Sequence, residues 1–232
     1  MTPAQQLPLS LPHRPQMTRA DFLIGAANAE ALGLIDSWPD WGVMSVMLSG
    51  PAGSGKTHLV EIWRARSNAS VVTAADLDDS RVDRLIERGA VAVEDLHVRP
   101  FAEAALFHLL NLASERKASI LLTSRIAAPA LRVDLPDLAS RLRAARAVEL
   151  GAADDALLSA VLVKLFADRQ LAVDAGVIDF VLQRMERSLE AANLLVEYLD
   201  REALAGGVPI NRRLVARALT ELFSTPLDGG AE

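Results

Sequence analysis

The sequence predicts an α/β fold: a five-stranded parallel sheet with helices on both faces, built around a phosphate-binding loop and followed by a small α-helical domain. Three observations carry this. A glycine-rich loop, Gly50-Pro51-Ala52-Gly53-Ser54-Gly55-Lys56-Thr57, lies between an apolar run and a helical pattern. Short apolar runs then alternate with helical patterns as far as Gly151, as parallel strands joined by crossover helices require. Beyond Gly151 the strand signals stop and only helical spacing remains.

The elements follow in order. Residues 1–20 are rich in Pro and Gln; Pro3, Pro8, Pro12 and Pro15 forbid a helix, so this stretch reads as an extended tail. A core domain is expected over 21–151. It opens with a helix from Asn28 to about Trp38, and Ser45–Leu48 gives the first strand. Further strands are read at Val71–Val72, Ala90–Val93, Ile120–Leu122 and Ala147–Leu150, with a helix over Glu103–Arg116 between the third and fourth. A helical lid is expected over 152–223. Asp154-Asp155 caps its first helix, which carries Leu157, Leu158, Val161, Leu162, Leu165 and Phe166. Val177 to Met185, Leu194 to Leu199 and Leu214 to Phe223 give three more, with Gly206-Gly207 ending the third. Residues 224–232 read as a frayed end.

Composition narrows the function classes. Apolar residues make up 51% but aromatics only 4%, so aliphatic side chains must fill the core. The sequence has no Cys, which removes disulfides, thiolate metal sites and Cys nucleophiles. No apolar run is long enough to span a bilayer, and the first residues lack a basic-then-apolar signal pattern. The expectation is a cytoplasmic protein without a membrane partner. With 24 Lys plus Arg against 30 Asp plus Glu, the formal charge is −6, and strong direct DNA binding is not expected.

The loop matches G-x-x-x-x-G-K-[ST] in full. Its glycines let backbone N–H groups turn inward around phosphates, and the helix behind it adds its positive end. Lys56 can reach the β- and γ-phosphates, and the Thr57 hydroxyl can ligate Mg²⁺. Glu94-Asp95 ends the buried run Val91-Ala92-Val93. A carboxylate such as Glu94, on a strand beside the loop, helps hold Mg²⁺, while Asp95 can orient an attacking water. Thr123 and Ser124 end the next strand as candidate sensors of the γ-phosphate; a plain strand-end turn explains them nearly as well.

Several segments resemble the DnaA-type initiator ATPases, members of the AAA+ class. Phe22-x-x-Gly25-x-x-Asn28 is similar to that family's adenine-side segment. Lys56-Thr57-His58-Leu59, Leu106-Phe107-His108-Leu109-x-Asn111 and Leu121-Leu122-Thr123-Ser124 resemble other family segments. The resemblance adds Ile24 and His58 to the nucleotide-binding residues. Leu135-Pro136-Asp137-Leu138-Ala139-Ser140-Arg141-Leu142 is similar to the arginine-finger segment of the Hda-type regulators, short relatives of DnaA. Gln6-Leu7-Pro8-Leu9-Ser10-Leu11 looks like their clamp-binding peptide. An extended segment of this kind can fill a hydrophobic groove with Leu7, Leu9 and Leu11 and anchor through Gln6. The other reading of Arg141 is a surface pair with Asp137 one helical turn away.

The resemblance implies a regulator that binds adenine nucleotide, ADP or ATP with Mg²⁺. It docks on the DNA polymerase sliding clamp and on ATP-bound DnaA initiator, and promotes hydrolysis there to limit re-initiation. Homo-oligomers and a replisome location accord with this. The initiators' helix-turn-helix domain is not expected, because the resemblance ends near Phe223. Three departures point to slow hydrolysis by the chain itself. Glu94 stands where the initiators carry Asp, Arg125 stands where they carry Asp, and Glu190 takes the apparent place of a sensor arginine, with Arg187 as a displaced substitute. The alternative is a self-contained AAA+ ATPase, such as a helicase loader or initiation motor.

Overall fold

The computed structural model describes residues 17–206 and 208–223, in two compact units, Met17–Ala153 and the chain from Asp154 onward. Gln6, Leu7, Leu9 and Leu11 of the expected clamp peptide lie outside the described residues.

The first unit holds five strands, β1 (Ser45–Ser49), β2 (Ser70–Thr73), β3 (Ala90–Glu94), β4 (Ser119–Ser124) and β5 (Arg146–Glu149). All pair in parallel, in the order β2-β3-β4-β1-β5. Its helices are α1 (Ala29–Asp36), α2 (Lys56–Ser67), α3 (Val82–Ile86), α4 (Glu103–Arg116) and α5 (Pro136–Ala144). The middles of β1, β3 and β4 are apolar because both faces of the sheet are covered there, and their two-residue period sorts them. Met47, Val91, Val93, Ile120 and Leu122 pack with Val82, Ile86, Leu106, Leu109, Leu138 and Leu142, the layer of α3, α4 and α5. Val46, Leu48, Ala90, Ala92 and Leu121 pack with Leu32, Ile35, Leu59, Ile62 and Trp63, the layer of α1 and α2. Each such fully buried Val, Leu, Ile or Met side chain contributes about 1.5–3 kcal/mol of transfer free energy.

β4 separates the loop strand β1 from the acidic strand β3, and Glu94 at the end of β3 stands beside the loop as expected, 2.9 Å from Thr57 Oγ1. Parallel neighbours are joined by crossover connections, so chain order does not fix sheet order. The consequence is favourable for a site, since the ends of β1, β4 and β3 line up along one edge of the sheet.

Thr18–Asp21 form a turn at the margin of the expected tail. Arg19 pairs with Asp36 at 3.0 Å, and a ring nitrogen of His58 lies 2.8 Å from the Thr18 carbonyl oxygen.

The second unit is helical: α6 (Asp155–Asp168), α7 (Ala175–Leu182), α8 (Leu189–Gly206) and α9 (Arg212–Phe223). Asp154, Asp174, Ser188 and Asn211 accept hydrogen bonds from the N–H groups of Leu157, Val177, Ala191 and Leu214, so all four starts are capped by side chains. Leu158, Leu162, Phe166, Val181, Leu195, Leu199 and Val215 are buried. The second of these helices ends at Leu182, short of Met185, which is nevertheless buried in the following turn. No helix among the described residues is long and apolar enough to cross a membrane.

Candidate nucleotide site and finger helix

The phosphate loop leaves the end of β1 and enters α2. Gly50 is required by its surroundings. A Cβ there would lie 2.4 Å from the Leu150 carbonyl oxygen, because Leu150 continues β5 and donates its own N–H to Ser49 at 2.7 Å. Gly55, at φ +98°, turns the chain into the helix, a conformation that favours glycine. The start of α2 has no side-chain cap and no acid in its first turn. Its N–H groups therefore keep capacity for an anion, as at other phosphate-binding helix starts.

Lys56 is 8% exposed and folds over the loop. Its Nζ donates to the carbonyl oxygens of Gly50 at 2.8 Å and Pro51 at 2.7 Å, and to Ser54 Oγ at 3.2 Å. A buried ammonium held by neutral oxygens at the mouth of a helix suits exchange onto phosphate oxygens. Pro51 and Thr57 are exposed, while Ala52, Gly53 and His58 are half-buried.

Thr57 Oγ1 donates to Glu94 Oε1 at 2.9 Å, so the extra methylene of Glu94 spans the distance from β3 to the loop. Burial, the dominant cause, pushes the Glu94 carboxyl above the ordinary 4.5, as do Asp95 and Glu61; the Thr57 hydrogen bond and Lys56 pull it down. A hydroxyl and a carboxylate this close are oxygen donors of the kind Mg²⁺ takes while keeping other positions for phosphate and water. Among the described residues no three His, Cys, Asp or Glu gather into a metal cluster.

The two candidate sensors divide their work. Thr123 Oγ1 accepts from the Asp95 N–H at 3.2 Å, and the Thr123 carbonyl accepts from Leu96 N–H at 3.0 Å. Asp95 is thereby held at φ +63° with its carboxylate exposed. Ser124 is fully buried and its Oγ accepts from Ile126 N–H at 3.1 Å, the strand-end turn. His97, a residue the sequence did not single out, joins this group. Its Nδ1 accepts from Arg125 N–H at 3.3 Å and lies 3.9 Å from Asp95 Oδ1. Burial lowers its pKa most, Asp95 opposes, and Arg125 and Lys56 add to the lowering, which keeps Nδ1 an acceptor.

The expected adenine-side segment sits against α2 and β5. Asn28 is buried; its Oδ1 accepts from Gly25 N–H at 2.9 Å and its Nδ2 donates to the Leu23 carbonyl at 3.0 Å. Phe22 is buried with its ring edge-to-face on His58, centroids 5.1 Å apart. Gly151 N–H donates to the Ala27 carbonyl at 3.0 Å. Asn28 therefore shapes the segment, which leaves Ile24 58% exposed at its tip.

Arg141 lies in the last turn of α5. Among the described residues it makes no ion pair with Asp137, so the surface-pair reading is not realised. Its guanidinium instead lies 5.5 Å from the ring centroid of Phe107 on α4. The other end of α5 is held by Glu103, which accepts from the N–H groups of Asp134 and Leu135 and pairs with Arg99. Burial works to raise the Glu103 pKa, but the Leu135 and Asp134 N–H groups and Arg99 together bring it below the ordinary 4.5. In the second unit, Glu190 is exposed at the start of α8, and Arg187 pairs with Asp155 at 3.0 Å.

No protein-family model matches the chain, and no curated protein does. Solved structures do. Domain III of the Thermotoga maritima replication initiation protein DnaA is 16% identical, with a TM-score of 0.73 over 91% of this chain and 99% of that one. AMPPCP-bound DnaA from Aquifex aeolicus is 18% identical, with a TM-score of 0.65 over 83% of this chain and 68% of that one. The Thermotoga maritima RuvB Holliday junction branch migration motor is 19% identical, with a TM-score of 0.68 over 86% and 70%. Likeness at this level of identity shows the fold alone: an α/β core with a five-stranded parallel sheet and a phosphate-type loop, followed by a small helical domain.

Proposed function

We propose that this chain is an adenine-nucleotide-binding AAA+ regulator that acts on a partner ATPase, lending it Arg141. The observation that carries the reading is the state of Arg141. It stands on a short helix beside the sheet, half-buried, with an aromatic ring rather than a carboxylate as its neighbour. A guanidinium without a counter-charge can meet the charge that develops on a transferring phosphoryl group, and a finger supplied in trans is worth about 10³ to 10⁵ in rate. The nucleotide half of the reading is supported by the loop, the uncapped α2 start and the Thr57–Glu94 pair, and by the AMPPCP bound to a structural neighbour.

The partner is DnaA-type initiator carrying ATP, and the sliding clamp brings the two together through Gln6, Leu7, Leu9 and Leu11. ADP or ATP with Mg²⁺ at the chain's own loop serves mainly to order it. Thr57 and Glu94 would hold the metal, which supplies charge neutralisation at the phosphates. The second reading is a self-contained motor, favoured by the match to the RuvB motor at a TM-score of 0.68. Single-turnover hydrolysis of initiator-bound ATP, with DNA-loaded clamp present, separates them. Arg141→Ala and Arg141→Lys are expected to fold, bind clamp and fail to stimulate, because a finger needs the planar multidentate guanidinium. Full stimulation by Arg141→Ala would refute the finger. Fast hydrolysis by the chain alone would favour the motor.

A further inference from the structure

We propose that Glu103 and Phe107, one turn apart on α4, form a two-point clamp that positions Arg141 and ties it to the sensor end of the sheet; this rests on the finger reading above. Both residues stand on one face of α4, four positions apart, where side chains are neighbours. Glu103 grips the start of α5. Its Oε2 accepts from the Leu135 N–H at 2.8 Å, both its oxygens accept from the Asp134 N–H at 3.0–3.1 Å, and its Oε1 pairs with Arg99 Nη1 at 2.7 Å. Leu135 itself makes no side-chain cap, so a carboxylate from α4 supplies what the local sequence lacks. Phe107 meets the other end, its ring 5.5 Å beneath the Arg141 guanidinium. Leu138 and Leu142 fix which face of α5 points inward, and that leaves Arg141 directed along α4.

The clamp also has an upstream connection. α4 is joined to β3 by the loop that begins at Asp95. That loop is pinned to β4, since the N–H groups of Asp95 and Leu96 both donate to Thr123. A shift of the Thr123–Asp95 contact, where a γ-phosphate would be sensed, therefore moves the loop and Glu103 with it. Glu103 is a positioning residue in this scheme; it touches no nucleotide.

The test uses the full chain in two assays. The first is amide hydrogen exchange read by mass spectrometry over 136–144, with β1 and β4 as internal controls. The second is stimulated hydrolysis of initiator ATP, read as plateau rate and half-saturating concentration. Glu103→Ala is expected to speed exchange of the α5 amides by about tenfold or more, since it removes hydrogen bonds to a charged acceptor. The controls stay unchanged. The plateau rate is expected to fall by a similar factor, while half-saturation stays within about twofold, because docking is untouched. Glu103→Gln keeps an acceptor oxygen and should recover part of both; it also serves if the Ala variant does not fold. Phe107→Leu should lower the plateau rate alone. Unchanged α5 exchange in both Glu103 variants would overturn the clamp. Loosened α5 with a full plateau rate would overturn its role in positioning Arg141. Arg141→Ala run alongside keeps the cases apart: its full activity would sink the finger reading, and the exchange measurement would still decide whether Glu103 holds α5.

Discussion

Lys56 and Glu94 have opposite electrostatic situations, and each makes a separate prediction. Lys56 donates to three oxygens of the loop, so Lys56→Ala loosens the loop at some cost, while the two sheet cores are packed from other residues and should still fold. The substitution should weaken ADP and ATP binding by roughly 10- to 100-fold, the worth of a charge-assisted hydrogen bond of about 1.5–3 kcal/mol. Isothermal titration checks this, and unchanged affinity would remove Lys56 from the site. Glu94 is a carboxyl whose folded pKa is raised, chiefly by burial. Such a group favours the folded state below its unfolded pKa of about 4.5 and loses that contribution as pH rises through the folded value. At neutral pH the charged form is therefore a cost when no cation is near. Glu94→Gln should leave the nucleotide-free protein equally or more stable at pH 7, flatten its stability as pH rises above about 4.5, and abolish the Mg²⁺ dependence of ATP affinity. Loss of stability at pH 7 would show that the charge is already compensated. The loop residues were legible because their spacing is fixed by phosphate geometry. His97, Phe107 and Glu103 were not, since their partners Arg125, Arg141 and Leu135 lie about 30 residues away in the chain, and only the fold brings them together.

At the scale of elements, long periodic stretches read true and short ones did not. α4 begins and ends at Glu103 and Arg116 as expected, because fourteen residues give the 3.6-residue period room to repeat. α3 spans only five residues, Val82–Ile86, too few for a period to emerge. The strands were found within a residue or two at either end, yet their order was not, because crossover connections decide it. α5 was visible as a matched segment rather than as a helix, and its dependence on Glu103 gives the element-scale prediction. The Glu103 carboxyl has a lowered folded pKa, so its stabilising contribution is full above the unfolded value of about 4.5 and lost as pH falls through the folded one. Exchange protection of the α5 amides should therefore drop below about pH 4.5 in the native chain, before the sheet amides respond. In Glu103→Gln the same amides should be less protected at neutral pH and insensitive over that window. Parallel loss of α5 and sheet protection in both proteins would mean that acid acts on the whole unit and not through this carboxylate.

The described residues form two units, each with its own buried core, and the Lys56 and Thr57–Glu94 contacts of the candidate nucleotide site lie in the sheet unit. This leads to a prediction about how ligand changes stability. A ligand that binds only folded protein stabilises it by mass action, about 2.7 kcal/mol when present at 100 times its Kd. For a unit of this size each kcal/mol raises Tm by about 2–4 °C, so saturating ADP with Mg²⁺ should raise it by about 5–10 °C. Two cores allow two unfolding transitions in a calorimetric scan. The sheet unit's transition is the one expected to move, since the loop, Lys56 and the Thr57–Glu94 pair all lie in it. Lys56→Ala should shrink the shift at the same ADP concentration with the logarithm of its lost affinity. An equal shift of both transitions in the native chain would show that the helical unit also holds the nucleotide. No shift at all with saturating ADP or ATP would show that the loop, though correct in sequence and shape, is not a nucleotide site.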